Sequence, residues 1–303
     1  MYHNGSELLA LAQEKNCRVS EIVLENEAQI SGLSKAKIKE NLLTHYHVMQ
    51  ASATKALTME LPTVGNLIKG DSKRVFDYAK SGNSLCGELI NLLMARALSC
   101  LEVNASMGRV CAAPTAGSCG ILPAVLMTMA ERLNLSDEEI VQGMLTASGI
   151  GAVITRNATV AGAEGGCQAE CGAAASMAAG AVVEAAGGTP DQVFHAAAIA
   201  IKNIMGLVCD PVAGLVESPC AKRNASQAVN AVICADLALA GVKSVIPFDE
   251  VVQAMYKVGH MLPYQLRETA LGGVAVTETG LKIAEALHAK KADSVLSPQR
   301  VYW

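Results

Sequence analysis

The sequence predicts a mainly α-helical protein, compact and all-helical, of tightly packed Ala- and Gly-rich helices. Three observations predict it. Hydrophobic residues make up 51% of the 303 positions, but aromatic residues only 3%. The core must therefore be filled by Ala, Val, Leu, Ile, Met and Gly. Ala is the strongest helix former, and small side chains let helices approach closely. Finally, no succession of alternating apolar and polar runs marks a sheet.

The elements follow in order. Ser6 is expected to cap "ELLALAQEKN", and Ser34 to cap "KAKIKENLLTHYHVMQASATKAL". "TVGNLIKGDS" (63–72) then interrupts the helical pattern with two glycines. From Asn104 to Gly241 Ala and Gly dominate and charges thin out. Ser136 to Glu139 forms a capping box before "IVQGMLTASGIGAV". Thr189 to Gln192 forms another, with Pro190 at the first helical position. Pro247, with Asp249 and Glu250, opens "VVQAMYKVGH", and Thr277 caps "ETGLKIAEALHAKK". The organisation expected is an N-terminal helical segment, 1–62, packed on one continuous domain, 63–303.

Several function classes are excluded. The net charge is -4, and basic residues cluster no further than pairs such as Lys290–Lys291, so no nucleic-acid surface is expected. No Walker A sequence and no GxGxxG after a strand is present. Val110 to Ala130 carries no charge, but its prolines and glycines break a helix, so a buried loop running into a buried helix is expected rather than a membrane span. The first residues have neither a basic region nor an apolar run of signal-peptide length, and a soluble cytoplasmic protein is expected.

Ten cysteines are too few for a disulfide scaffold of this length, and most read as small buried hydrophobes. His45 and His47, two apart, point in different directions on a helix. His195 reads as a packing residue, and His260 as a cation near a helix end.

Four stretches stand out. In "GRVCAAPTAGSCGILPAVL" (108–126) the small residues around Thr115, Ala116, Gly117 and Ser118 can aim backbone N–H groups at a carboxylate or phosphate, or form a close-packed turn. In "TRNATVAGAEGGCQAECG" (155–172) Arg156 and Asn157 are polar groups in apolar sequence, with Arg156 a candidate for a buried ion pair, and the glycines permit close backbone approach. In "GLVCDPVAGLVESPCAKRNA" (206–225) prolines interrupt helix, placing Cys209 and Cys220 on loops or helix ends. Cys100 and Cys234 instead lie within simple helical patterns. "LRETALGGVAVTETG" (266–280) reads as a tight or flexible connection without clear chemistry. Cys167 and Cys171, four apart, would share a helix face, but no pair has the C-x₂-C spacing of zinc ribbons or ferredoxins.

"CAAPTAGS", "GGCQAE", "GLVCDPVAGLVESPCAKRNA" and "ADLALAG", in this order, closely resemble the alpha chain of iron–sulfur-dependent L-serine dehydratase, or L-serine ammonia-lyase. The likeness spans essentially the whole chain. It implies a mainly helical catalytic domain and a [4Fe-4S] cluster held by Cys167, Cys209 and Cys220, with no pyridoxal phosphate. It implies that the loop 114–118, with Thr115, Ala116, Gly117 and Ser118, binds the substrate carboxylate. It also implies a partner, the beta chain, in a hetero-oligomer whose substrate is a small amino acid. An iron with an open position would act as Lewis acid on the serine hydroxyl. Cys171 is outside the family motif and reads as a packing residue. Lys222 reads as a carboxylate-pairing or surface lysine, and the general base stays unassigned. The alternatives are a related iron–sulfur lyase acting on L-cysteine or L-threonine, or a non-catalytic helical subunit. For a pyridoxal-phosphate enzyme only Lys202 and Lys222 lie between Asn104 and Gly241.

Overall fold

The computed structural model describes the backbone of residues 1–296 and the side chains of residues 1–289. The Lys290–Lys291 side chains and residues 297–303 lie outside the described part. The described residues form thirteen α-helices and no strand, as the small-residue core predicts.

The centre is α9 (Ala173–Ala185), buried from Ala173 to Glu184. A helix that is apolar all round must be enclosed on every side. Around it pack α6 (Ile121–Leu133), α7 (Asp137–Asn157), α10 (Pro190–Lys202) and α11 (Cys220–Leu239). Small residues set the approach distance. A methyl group at Gly180 would come within 2.2 Å of Ile150 Cδ1, so α7 and α9 meet closely there. α5 (Gly87–Ala105) packs on α11 and α6 in a second tier, and a methyl group at Gly120 would come within 2.5 Å of the Ala97 carbonyl oxygen. α4 (Asp71–Lys80) lies on α5, its first turn held by Glu102, which accepts from the Gly70 and Ser72 N–H groups at 3.1 and 2.7 Å.

The first three helices, α1 (Gly5–Glu14), α2 (Val19–Ser31) and α3 (Lys35–Lys55), contribute Leu8, Val23 and Met49 to the same buried cluster. Val23 fills the space left by Gly149 on α7. The capping boxes at Ser136 and Thr189 form as the sequence predicts, and Ser34 caps α3. The α1 cap differs. Asn4, not Ser6, accepts the Glu7 N–H, at 2.8 Å, and the Ser6 hydroxyl donates to Asp249 at the start of α12 (Phe248–Met261). Asn4 lies one residue ahead of the helix, where a cap must stand, whereas Ser6 is already inside it. Val110 to Ala130 forms a loop followed by α6, and no described helix is long and apolar enough to cross a membrane.

Candidate active site

Three chain segments meet at one end of α9 and α11. The first contains α8 (Gly162–Gly165), Gly166, Cys167 and a π-helical turn, Gln168–Gly172, leading into α9. Such turns are frequent at functional sites because the extra residue re-aims side chains. Gly166 adopts φ 75° and ψ 179°, a region open essentially to glycine alone. Gln168, fully buried, locks this turn. Its amide nitrogen donates to the Gly165 and Met255 carbonyls at 2.9 and 3.0 Å, and its oxygen accepts from the Gly206 N–H at 2.9 Å.

The second segment is the loop from Gly206 to Pro219. Cys209 is held through its backbone, its N–H donating to the Leu266 carbonyl and its carbonyl accepting from Glu268 N–H, both at 2.8 Å. Asp210 pairs with Arg223 at 2.7 Å and accepts from Val274 N–H, also at 2.7 Å. Gly273 makes room, since a methyl group there would collide with Asp210. The stretch 266–280, expected to lack chemistry, thus fastens the Cys209 loop and carries Glu268 into the site. Cys220 opens α11 directly after Pro219. Ahead of it, the fully buried Glu217 accepts from Thr63 Oγ1, Gly65 N–H and Leu67 N–H at 2.9, 2.5 and 2.9 Å.

The third segment is the loop at Thr115–Ser118. Asn224 on α11 holds it, donating to the Gly117 carbonyl at 2.8 Å and accepting from Gly120 N–H at 3.0 Å. The Thr115 hydroxyl donates to Glu170 at 2.8 Å. Within the protein no hydrogen bond engages the amides of Ala116 and Gly117 among the described residues.

Cys167, Cys209 and Cys220 are all buried free thiols. Cys167 and Cys171 stand 3.4 Å apart, sulfur to sulfur. Hydrogen bonds from Cys171 and then Cys209, together with the Arg223 charge, hold the Cys167 thiol well below its ordinary range, against the effect of burial. Burial, reinforced by the charges of Cys167 and Glu170, pushes Cys220 up to about 12. Glu170 is pushed up to about 7, mainly by burial, with the Thr115 hydrogen bond opposing. Ligand atoms of Glu170, Cys209 and Glu268 lie within 4.8 Å of one another.

The three predicted cysteines and the predicted loop are thus neighbours. Sequence reasoning missed Gln168, Glu170, Arg223, Asn224 and Glu268. For Glu170 a signal existed, a carboxylate inside a run of Ala, Gly and Cys. Arg156 differs from the buried ion pair considered for it, because it is exposed and its guanidinium contacts His3. His195 packs against Asp191, and Lys222 pairs with Asp71 on the surface. His45 and His47 take no part in the site.

The family model of the serine dehydratase alpha chain matches residues 14–275. The chain belongs to the serine dehydratase alpha chain family. As a family member it is an enzyme, a lyase. It is similar to the L-serine dehydratase alpha chain of Peptoniphilus asaccharolyticus, 52% identical over 283 residues covering 93% of this chain and 97% of that one. It is similar to the probable L-serine dehydratase alpha chain of Bacillus subtilis strain 168, 46% identical with 95% of each chain covered. An L-serine dehydratase of Streptomyces coelicolor is 39% identical over 91% of this serine dehydratase alpha chain, which spans only 61% of that relative.

Proposed function

We propose that this chain is the alpha subunit of a two-chain, soluble cytoplasmic L-serine dehydratase that converts L-serine to pyruvate and ammonia with a [4Fe-4S] cluster. The observation carrying the proposal is the meeting of three buried reduced cysteines, from three separate stretches of chain, with a small-residue loop whose amides are free. The domain is read as 63–303, with 1–62 packed against it.

The residues fit an iron–sulfur cluster. Thiolates are its usual ligands, and Cys167 is biased towards the thiolate by its neighbours. The compact set at Glu170, Cys209 and Glu268 shares only Cys209 with the cluster set. Cys167, Cys209 and Cys220 would hold the cluster, whose remaining iron supplies a Lewis acid for the leaving hydroxyl.

The chain's own groups do the rest. The free Ala116 and Gly117 amides, on the half-open loop, receive the substrate carboxylate, and Ser118 closes the turn behind them. Arg223, bound to Asp210 and to the Val208 carbonyl at 2.9 Å, fixes the Cys209 loop. Loss of the α-proton and the β-hydroxyl gives an enamine, which tautomerises and hydrolyses to pyruvate and ammonia. The proton acceptor is left to this chain or to the beta chain. Lys222 is tied to Asp71, and Lys202 donates to the Ser244 carbonyl at 2.5 Å, which favours neither as a Schiff-base lysine. The name alpha chain, borne by the Peptoniphilus asaccharolyticus relative that is matched over 97% of its length, supports a partner chain here.

The test is turnover by the anaerobically reconstituted chain with its beta chain, offered L-serine, L-threonine and L-cysteine. Pyruvate from L-serine at the highest kcat/KM is expected. Much faster turnover of L-cysteine would replace this reading with a desulfhydrating one, and a chain without iron or activity would make it a scaffold.

A further inference from the structure

Two carboxylates face each other beside the loop at Thr115–Ser118, and among the described residues neither is in an ion pair. Glu170 is only 9% exposed. One of its oxygens accepts from Thr115, and its Oε2 receives no hydrogen bond among the described residues. That Oε2 and the Oε2 of Glu268 converge on Gly162, where an added methyl carbon would stand 2.8 and 3.1 Å from them. The cations on the adjoining helix are committed, Arg223 to Asp210 and Lys222 to Asp71. Glu170 is buried and Glu268 exposed; two like charges this close without a counter-ion are unfavourable, and a cationic ligand would offset the repulsion.

We propose that Glu170 and Glu268 form the subsite for the α-ammonium group of the substrate, an inference that rests on the serine dehydratase reading. The spacing suits one nitrogen. An ammonium donating to two carboxylate oxygens spans about 4.6 Å between them, at the usual charged hydrogen-bond length. The ligand atoms of Glu170 and Glu268 lie within 4.8 Å of each other. The position suits an amino acid. Glu170 touches the carboxylate loop on one side, with Gly117 beside its Oε1, and faces Glu268 on the other. A carboxylate and an ammonium on one carbon would span these two sets of groups. Gly162 is then the residue that keeps the ammonium space open, and the carboxylate pair selects α-amino acids over hydroxy acids.

The experiment compares L-serine with 3-hydroxypropionate, which lacks only the amino group, on the reconstituted enzyme with its beta chain. The wild-type enzyme is expected to bind 3-hydroxypropionate, measured as an inhibition constant, at least about tenfold more weakly than the KM for L-serine. Glu268→Gln is expected to raise the KM for L-serine about tenfold, with a smaller change in kcat and an unchanged inhibition constant, closing the gap. Glu268→Asp, which keeps the charge, should retain an intermediate gap. A wild-type enzyme that binds both ligands equally overturns the inference whatever the variants do. So does a gap unchanged in Glu268→Gln with full iron content. If the wild-type enzyme releases no pyruvate from L-serine, the dehydratase reading fails instead.

Discussion

Thr115 donates its hydroxyl hydrogen to Glu170 across 2.8 Å, and this bond joins the loop at Thr115–Ser118 to the cysteine turn. A bond to a charged acceptor is worth about 1.5–3 kcal/mol. Thr115→Val keeps the shape and removes the donor. We expect kcat/KM for L-serine to fall about tenfold or more, with iron content preserved. Steady-state kinetics beside an iron assay checks this, and unchanged kinetics would show that the two segments act independently.

Gly166 fixes where Cys167 points. A methyl group there would lie 2.8 Å from the Leu207 carbonyl oxygen, at a backbone conformation other residues avoid. Gly166→Ala should cost about 3 kcal/mol or more. Denaturant unfolding measures the loss, and a midpoint equal to wild type would mean that the turn is not under this constraint.

Glu217 is the tether between the 63–67 loop and the Cys220 helix start. In Glu217→Gln the amide NH₂ replaces one acceptor and leaves a buried donor facing donors. Stability should drop by about 2 kcal/mol, and the variant should lose iron faster to a chelator than wild type. Unfolding within about 0.5 kcal/mol of wild type, typical of a surface change, would contradict this.

Glu184 on α9 gives the pH prediction. Burial raises its carboxyl above the ordinary 4.5, with the Ser20 hydrogen bond opposing. The folded state therefore holds this proton more tightly than the unfolded state. Its contribution to stability is complete below 4.5 and is lost as pH rises through the folded value. The stability of Glu184→Gln relative to wild type should accordingly improve between about pH 5 and pH 7. A relative stability that stays flat or falls over that interval would contradict the assignment.

Local rules made much of the fold legible. The boxes at Ser136 and Thr189 are short-range patterns, and both form. The Ala–Gly stretch correctly pointed to a buried helix, because a helix of such residues has no polar face to expose. Ser6 shows the limit, since Asn4 was a better-placed cap and Asp249, far along the chain, took the serine hydroxyl. The family motifs carried the cysteines and the Thr115 loop. Glu268 had no local signal, because it reaches the site only through the pairing of its backbone with Cys209. The π-helical turn at Gln168–Gly172 was equally silent, since its Gln, Ala and Glu suit an ordinary helix as well.

Iron and acid-labile sulfide, counted per chain after anaerobic reconstitution of wild type and of single cysteine variants, test the central claim most directly. The account predicts about four of each in wild type and in Cys171→Ser. It predicts loss of the cluster in Cys167→Ser, Cys209→Ser and Cys220→Ser. A full cluster in any of those three, or its loss in Cys171→Ser alone, would contradict the ligand assignment.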